Sequence, residues 1–274
     1  MTRLSAQIEG IGLLGPGLEG WTSAVAVLEG RSAYIPRPTV VPVPEGLPPA
    51  ERRRLGRVVK LALSVGLQAT SQAGIDPAAL PAVFSSSGGD GLNCHEICEA
   101  LSLDERLISP TRFHNSVHNA AAGYWSIATG SKTASNALCA FDVSFAAGLL
   151  EAVTQVAIDG ARVLLVAYDT PYPPPLFAKR PIPEAFGVAF VLGPAGLRAA
   201  AESAQATRSP RAHLRVWLSD APADRMRDAA FESLRAAIPA ARSLPLLYSL
   251  ATREPALIHI EYLDGRSLAV EVEP

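Results

Sequence analysis

Cysteine and charge are both scarce in this chain. Of 274 residues only three are cysteines, too few and too odd a number for a disulfide framework, so a reducing, cytoplasmic setting is expected. Charged residues make up 18% against 49% hydrophobic, which excludes a disordered chain and implies a sizeable covered core. The formal net charge of −2 gives no global reason to meet nucleic acid or an anionic membrane. No uninterrupted apolar run reaches the about 18 residues of a transmembrane helix, so no membrane span is expected. The opening stretch carries Glu9 inside its apolar part and lacks a clean small-residue cleavage site, unlike a secretory leader. The turn Gly88-Gly89-Asp90-Gly91 is not followed by the Lys-Ser/Thr pair of a phosphate-binding loop and reads as tight-turn geometry.

What is present is an alternation of short apolar runs and helical periods. Ser5–Leu14 reads as a strand, and Leu18–Leu28 as a helix stopped at Glu29-Gly30. A proline-rich loop, Ile35–Pro49, precedes a long predicted helix over Ala50–Gly74, whose basic start (Arg52, Arg53, Arg54, Arg57) reads as a solvated face. Strands are predicted over Pro81–Ser87, Ala161–Tyr168, Phe186–Leu192 and His213–Ser219. Helices are predicted over Leu92–Leu101, Ala223–Ile238 and Ser243–Ala251. Asp264-Gly265, between the alternating runs Ala256–Leu263 and Ser267–Val272, is a hairpin signal.

The most informative stretch runs from Ile108 to Ala152. Ala134–Phe141 is a short, mostly apolar run suited to a strand covered on both faces. From Val143 small and apolar residues recur at helical spacing (Val143, Ala146, Ala147, Leu150). Asp142 stands between strand and helix, with no glycine or proline to loosen the joint. A strand turning abruptly into a helix is how several folds present a catalytic nucleophile. The Ile108-Ser109-Pro110 lead, the following segment with Asn119, Gly123 and Gly130, and then Ser144 and Ala152 together resemble the nucleophile region of the β-ketoacyl synthases.

That resemblance implies an α/β, thiolase-like layered αβαβα fold, complete in its first half (residues 1–193) and shortened in its second (194–274), the two packed as one unit. It also places Asp142, rather than Cys139, where the family's reactive cysteine belongs. The family's two catalytic histidines come from a His-Gly-Thr and a Lys-x-x-x-Gly-His segment, neither of which occurs here; His213 and His259 stand among the wrong neighbours. A ketosynthase-like chain without its cysteine resembles a chain-length factor, most of all the type found with aryl polyene pigment pathways. The resemblance implies no catalytic residue, no metal and no cofactor. It implies a full-length β-ketoacyl-ACP synthase as heterodimer partner, with acyl carrier protein reached through that partner. Acyl-tunnel and interface positions would be His114, Val117, His118, Ala121, Ala122, Phe141 and Phe145.

The residues by themselves leave other readings open. Asp142 has a plain use as a helix cap, worth about 1 kcal/mol. Cys139 reads as a buried, inert thiol. A working enzyme would need one of these two as nucleophile or base. Cys94, Cys98, His114 and His118 have a spacing close to a zinc site, although the cysteines fall on a helix. An acyl- or zinc-binding scaffold without a synthase partner is therefore the remaining alternative.

Overall fold

The computed structural model describes residues 3–195 and 210–274, so part of the expected second half, residues 196–209, lies outside the described residues. The strands are β1 (Leu4–Leu14), β2 (Ala82–Ser85), β3 (Ser135–Leu138), β4 (Val163–Asp169), β5 (Phe186–Pro194), β6 (Ala212–Ser219), β7 (Ala256–Glu261) and β8 (Ser267–Glu273). They form one mixed sheet in the order β3-β2-β4-β5-β1-β6-β8-β7. The helices are α1 (Trp21–Leu28), α2 (Pro49–Arg54), α3 (Arg57–Ala73), α4 (Gly91–Ser102), α5 (Pro110–Asn115), α6 (Ala120–Thr129), α7 (Ser144–Asp159), α8 (Leu176–Lys179), α9 (Ala229–Ala237) and α10 (Leu244–Thr252).

Alternation along β4 shows how the core is divided. Val163, Leu165 and Ala167 point to one face, where Phe145, Leu149 and Val153 of α7 cover them. Leu164, Val166 and Tyr168 point to the other, beneath Leu61 and Val65 of α3 and Trp125 of α6. Both faces are sealed, which is why β4 is apolar without interruption until its last residue, Asp169.

β1 joins the two parts of the sheet. It pairs with β5 along most of its length and with β6 only from Leu4 to Ile8. Beyond Ile8 the side once facing β6 would leave N–H groups unpaired, and α3 supplies the acceptors: Ile11 donates to Gln72 Oε1 at 2.7 Å and Leu13 to Gln68 Oε1 at 3.0 Å. The match is geometric, because four helical residues and two strand residues both advance about 6 Å. So close an approach requires glycine at the intervening positions. A Cβ on Gly12 would stand 1.9 Å from Val65 O, and one on Gly10 2.1 Å from Ala69 O. Gly12→Ala is therefore expected to destabilise the chain by about 2–3 kcal/mol, as overpacking does, measured as a lowered urea midpoint at unchanged m-value.

Several expectations are corrected. The long helix at 50–74 is broken at Leu55-Gly56, where both residues are extended; a Cβ on Gly56 would meet Asp90 Oδ2 at 2.6 Å. The helix expected over Ala223–Ile238 begins only at Ala229, capped by the Asp228 carboxylate. On α7 the buried stripe is Phe145, Ala146, Leu149, Ala152, Val153 and Val156, while Val143, Ala147 and Leu150 are only partly covered. β3 is an edge strand, parallel to β2, with an open outer side and largely exposed residues. Its apolar composition does not come from burial between two layers. Among the described residues one segment, Phe141–Asp159, is long and apolar enough to cross a membrane, and its α7 portion packs into the core.

Candidate functional site

The turn from β3 into α7 is held by hydroxyls. Ser144 Oγ accepts from Ala140 N–H at 3.0 Å and donates to Phe141 O at 2.7 Å, while Ser85 Oγ donates to Ser144 O at 2.6 Å. This bracing forces Phe141 to φ +52°, a left-handed conformation that is strained for an aromatic residue. The abrupt strand-to-helix joint read from the sequence is present, and the strain sits one residue before Asp142.

Asp142 does not cap α7; no side-chain cap bond is made at that terminus. Its carboxylate turns sideways to Arg180, at 2.6 Å between Nη2 and Oδ1, and faces Arg242 at 4.0 Å. Arg180 also lies flat on the Phe141 ring, 3.9 Å from its centroid. Asp142, Phe141, Arg180, Lys179 and Arg242 line one cavity of about 320 Å³. Arg180 thus pairs directly with the Asp142 carboxylate while Arg242 stands near it, and a paired carboxylate is a poor acyl carrier.

Behind the turn lies Asp169, fully buried. Its Oδ1 accepts from Ser87 N at 2.9 Å and Ser87 Oγ at 2.6 Å, and its Oδ2 accepts from Ala240 N at 2.8 Å. Burial pushes its carboxyl up to about 6, against the pull of those donors and of Arg180. The contact ties the ends of β2 and β4 to the 3₁₀ turn Pro239–Ser243, which carries Arg242.

Cys139 is exposed rather than buried, and its thiol donates to Ser87 O at 3.1 Å. His118 Nε2 is 3.2 Å from Ser86 O. His259 lies on β7, 3.8 Å from Asp224, and His213 on β6 is exposed; neither lines the cavity at Asp142. Cys94 and Cys98 are exposed on α4, and among the described residues no group of three or more His, Cys, Asp or Glu side chains is gathered to hold a metal ion.

The seven positions named from the resemblance separate by burial. His114, Val117 and Phe141 are exposed and His118 is partly so. Ala121 and Ala122 are buried against α3 and the sheet, and Phe145 in the core under α7. These three pack within the chain, and the helical period places Asn119, Gly123 and Ile127 on the outer side of α6. Leu103, Leu107, Phe113, Val117, Ile127 and Phe141 are large, apolar and exposed. Sequence reasoning does not single out Asp169, Arg180 or Arg242. The available signal is an aspartate ending an otherwise apolar strand, and it says nothing of which arginines the fold brings near Asp142.

The family model for the β-ketoacyl synthase N-terminal domain matches residues 30–226. A search of curated proteins by sequence gave no match. Among solved structures, the chain resembles one from the complex of the ketosynthase ApeO with its chain length factor ApeC from Xenorhabdus doucetiae, at TM-score 0.69 and 22% identity, covering 98% of this chain and 99% of that one. A chain of the ishigamide ketosynthase/chain length factor gives TM-score 0.69 at 14% identity, with 98% and 99% covered. A chain of AntDE:AntF, a type II polyketide synthase acyl carrier protein in complex with its hexaketide-bound ketosynthase, gives 0.73 at 12%, with 99% of each covered. At these identities the likeness is one of fold, and it extends over the whole of both chains.

Proposed function

Because the chain belongs to the β-ketoacyl synthase family, we propose that it is the non-catalytic, chain-length-factor-like half of a heterodimer with an active β-ketoacyl-ACP synthase, and that it shapes the far end of the partner's acyl tunnel. The pathway class this favours is aryl polyene or related polyketide synthesis, with acyl carrier protein engaged through the partner. The observation that carries the reading is Asp142, held by Arg180 and Arg242 at the nucleophile turn. The neighbouring chains of full-length match include ones from ketosynthase/chain-length-factor complexes, which supports the partner named.

The geometry supports a wall rather than a reaction centre. β3 offers an unpaired edge to a partner strand. Phe113, Val117 and Phe141 stand exposed and would be desolvated in an obligate-type contact. Phe141 is pinned by strain and by Arg180, so its ring is a rigid stop. A growing chain that meets a packed wall is penalised by about 1–3 kcal/mol for each misfit.

Co-expression with a full-length ketosynthase is the test. A stable one-to-one complex is expected, and Phe141→Ala in it should shift products to longer chains. If the isolated chain turns over acyl- and malonyl-carrier-protein substrates, and Cys139→Ser abolishes this turnover, the exposed thiol is a nucleophile and the reading is overturned.

A further inference from the structure

Beyond a tunnel wall, the chain carries an incompletely used cluster of cations. We propose that the cavity bounded by Phe141, Asp142, Lys179, Arg180 and Arg242 is a binding site for a small oxyanion of the phosphate class. Three basic side chains and one carboxylate line this space of about 320 Å³, the volume of roughly ten water molecules. Arg242 is only 15% exposed, yet among the described residues its one polar partner is Asp142 at 4.0 Å, beyond hydrogen-bond reach. Arg180 is 17% exposed, and its Nε is buried without a hydrogen-bond partner.

A guanidinium has five donors in a planar fork, and removing one of them from water without an acceptor, as at Arg180 Nε, is costly. Asp142 satisfies part of Arg180 and hardly any of Arg242. A tetrahedral oxyanion in the cavity would take up the remaining donors as charge-assisted bonds. Asp142 would be its competitor, because the carboxylate occupies the same pair of cations.

That competition gives variants with opposite signs. Binding of inorganic phosphate is measured by calorimetry at constant ionic strength on the full chain, with phenyl phosphate as a second arm to separate free phosphate from a phosphate ester. Asp142→Asn is expected to tighten binding about tenfold, and Arg242→Gln to weaken it at least tenfold, with Arg242→Lys between them. Circular dichroism confirms the fold of each variant, and no misfolding artefact strengthens binding in one and weakens it in the other. Phosphate affinity indifferent to Arg242→Gln, or weakened by Asp142→Asn, overturns the site. So does displacement by chloride to the same degree in every variant, which would signify general screening.

Discussion

Ala137→Pro is expected to abolish assembly with a ketosynthase partner, weakening it at least 100-fold, while leaving the chain's own stability within about 1 kcal/mol. The asymmetry comes from the register of β3. Ala134 O accepts from Ala82 N at 3.1 Å, and Leu138 O accepts from Ser86 N at 3.2 Å, so the even-numbered residues address β2. By the period of two, Ser135 and Ala137 direct their N–H and C=O groups to the open edge. Proline at 137 removes a donor that no internal bond uses, which an edge strand tolerates, and it blocks the addition of another strand. Gel filtration and calorimetry with the partner measure the first effect, and thermal unfolding of the isolated chain the second. Undiminished co-purification of the variant would mean that the partner docks on another face, and the heterodimer geometry would have to be redrawn.

The second large effect is at Asp169. Replacement by alanine leaves the N–H groups of Ser87 and Ala240 and the Ser87 hydroxyl without their acceptor. Unsatisfied buried donors cost about 1–3 kcal/mol each; relief of a buried charge offsets part of this, so a net loss of about 3 kcal/mol is expected at neutral pH. The sign of the pH dependence follows from a carboxyl raised to about 6 in the folded chain against about 3.9 unfolded. The folded state then holds the proton more tightly, so the group favours folding most below about pH 4, and that contribution fades as pH rises toward 6. The span corresponds to about 3 kcal/mol as an order of magnitude. Asp169→Asn keeps the shape and cannot titrate. The difference in unfolding free energy between wild type and Asp169→Asn should therefore slope downward for the wild type between pH 4 and 6. A flat difference would show that the carboxyl is not desolvated as described. Loss of the Ala240 bond also loosens the turn bearing Arg242, so Asp169→Ala should weaken phosphate binding as well.

The order of strands and helices was legible in the sequence because it rests on local periodicity. β4 and β5 are apolar runs of strand length, and the Asp264-Gly265 signal yields left-handed residues between β7 and β8. Family membership was legible from the spacing of Pro110, Asn119, Gly123, Gly130, Ser144 and Ala152, which a local motif preserves. Burial was read less well. Ala134–Phe141 reads from its composition as a strand covered on both faces, yet β3 within it is an edge strand with largely exposed residues, because composition does not record which layers the fold lays on a strand.

By itself the sequence determined the α/β alternation, the aspartate at the strand-to-helix turn, and the absence of the family's histidine segments. These depend on residue identity and near-neighbour spacing. Only the tertiary structure decided what Asp142 does. Arg180 and Arg242 are 38 and 100 positions away along the chain, and no local rule couples residues that far apart. They meet because the 3₁₀ turn Pro239–Ser243 is tied back onto β2 and β4 through Asp169, which fixes the charges around the turn and with them its chemistry.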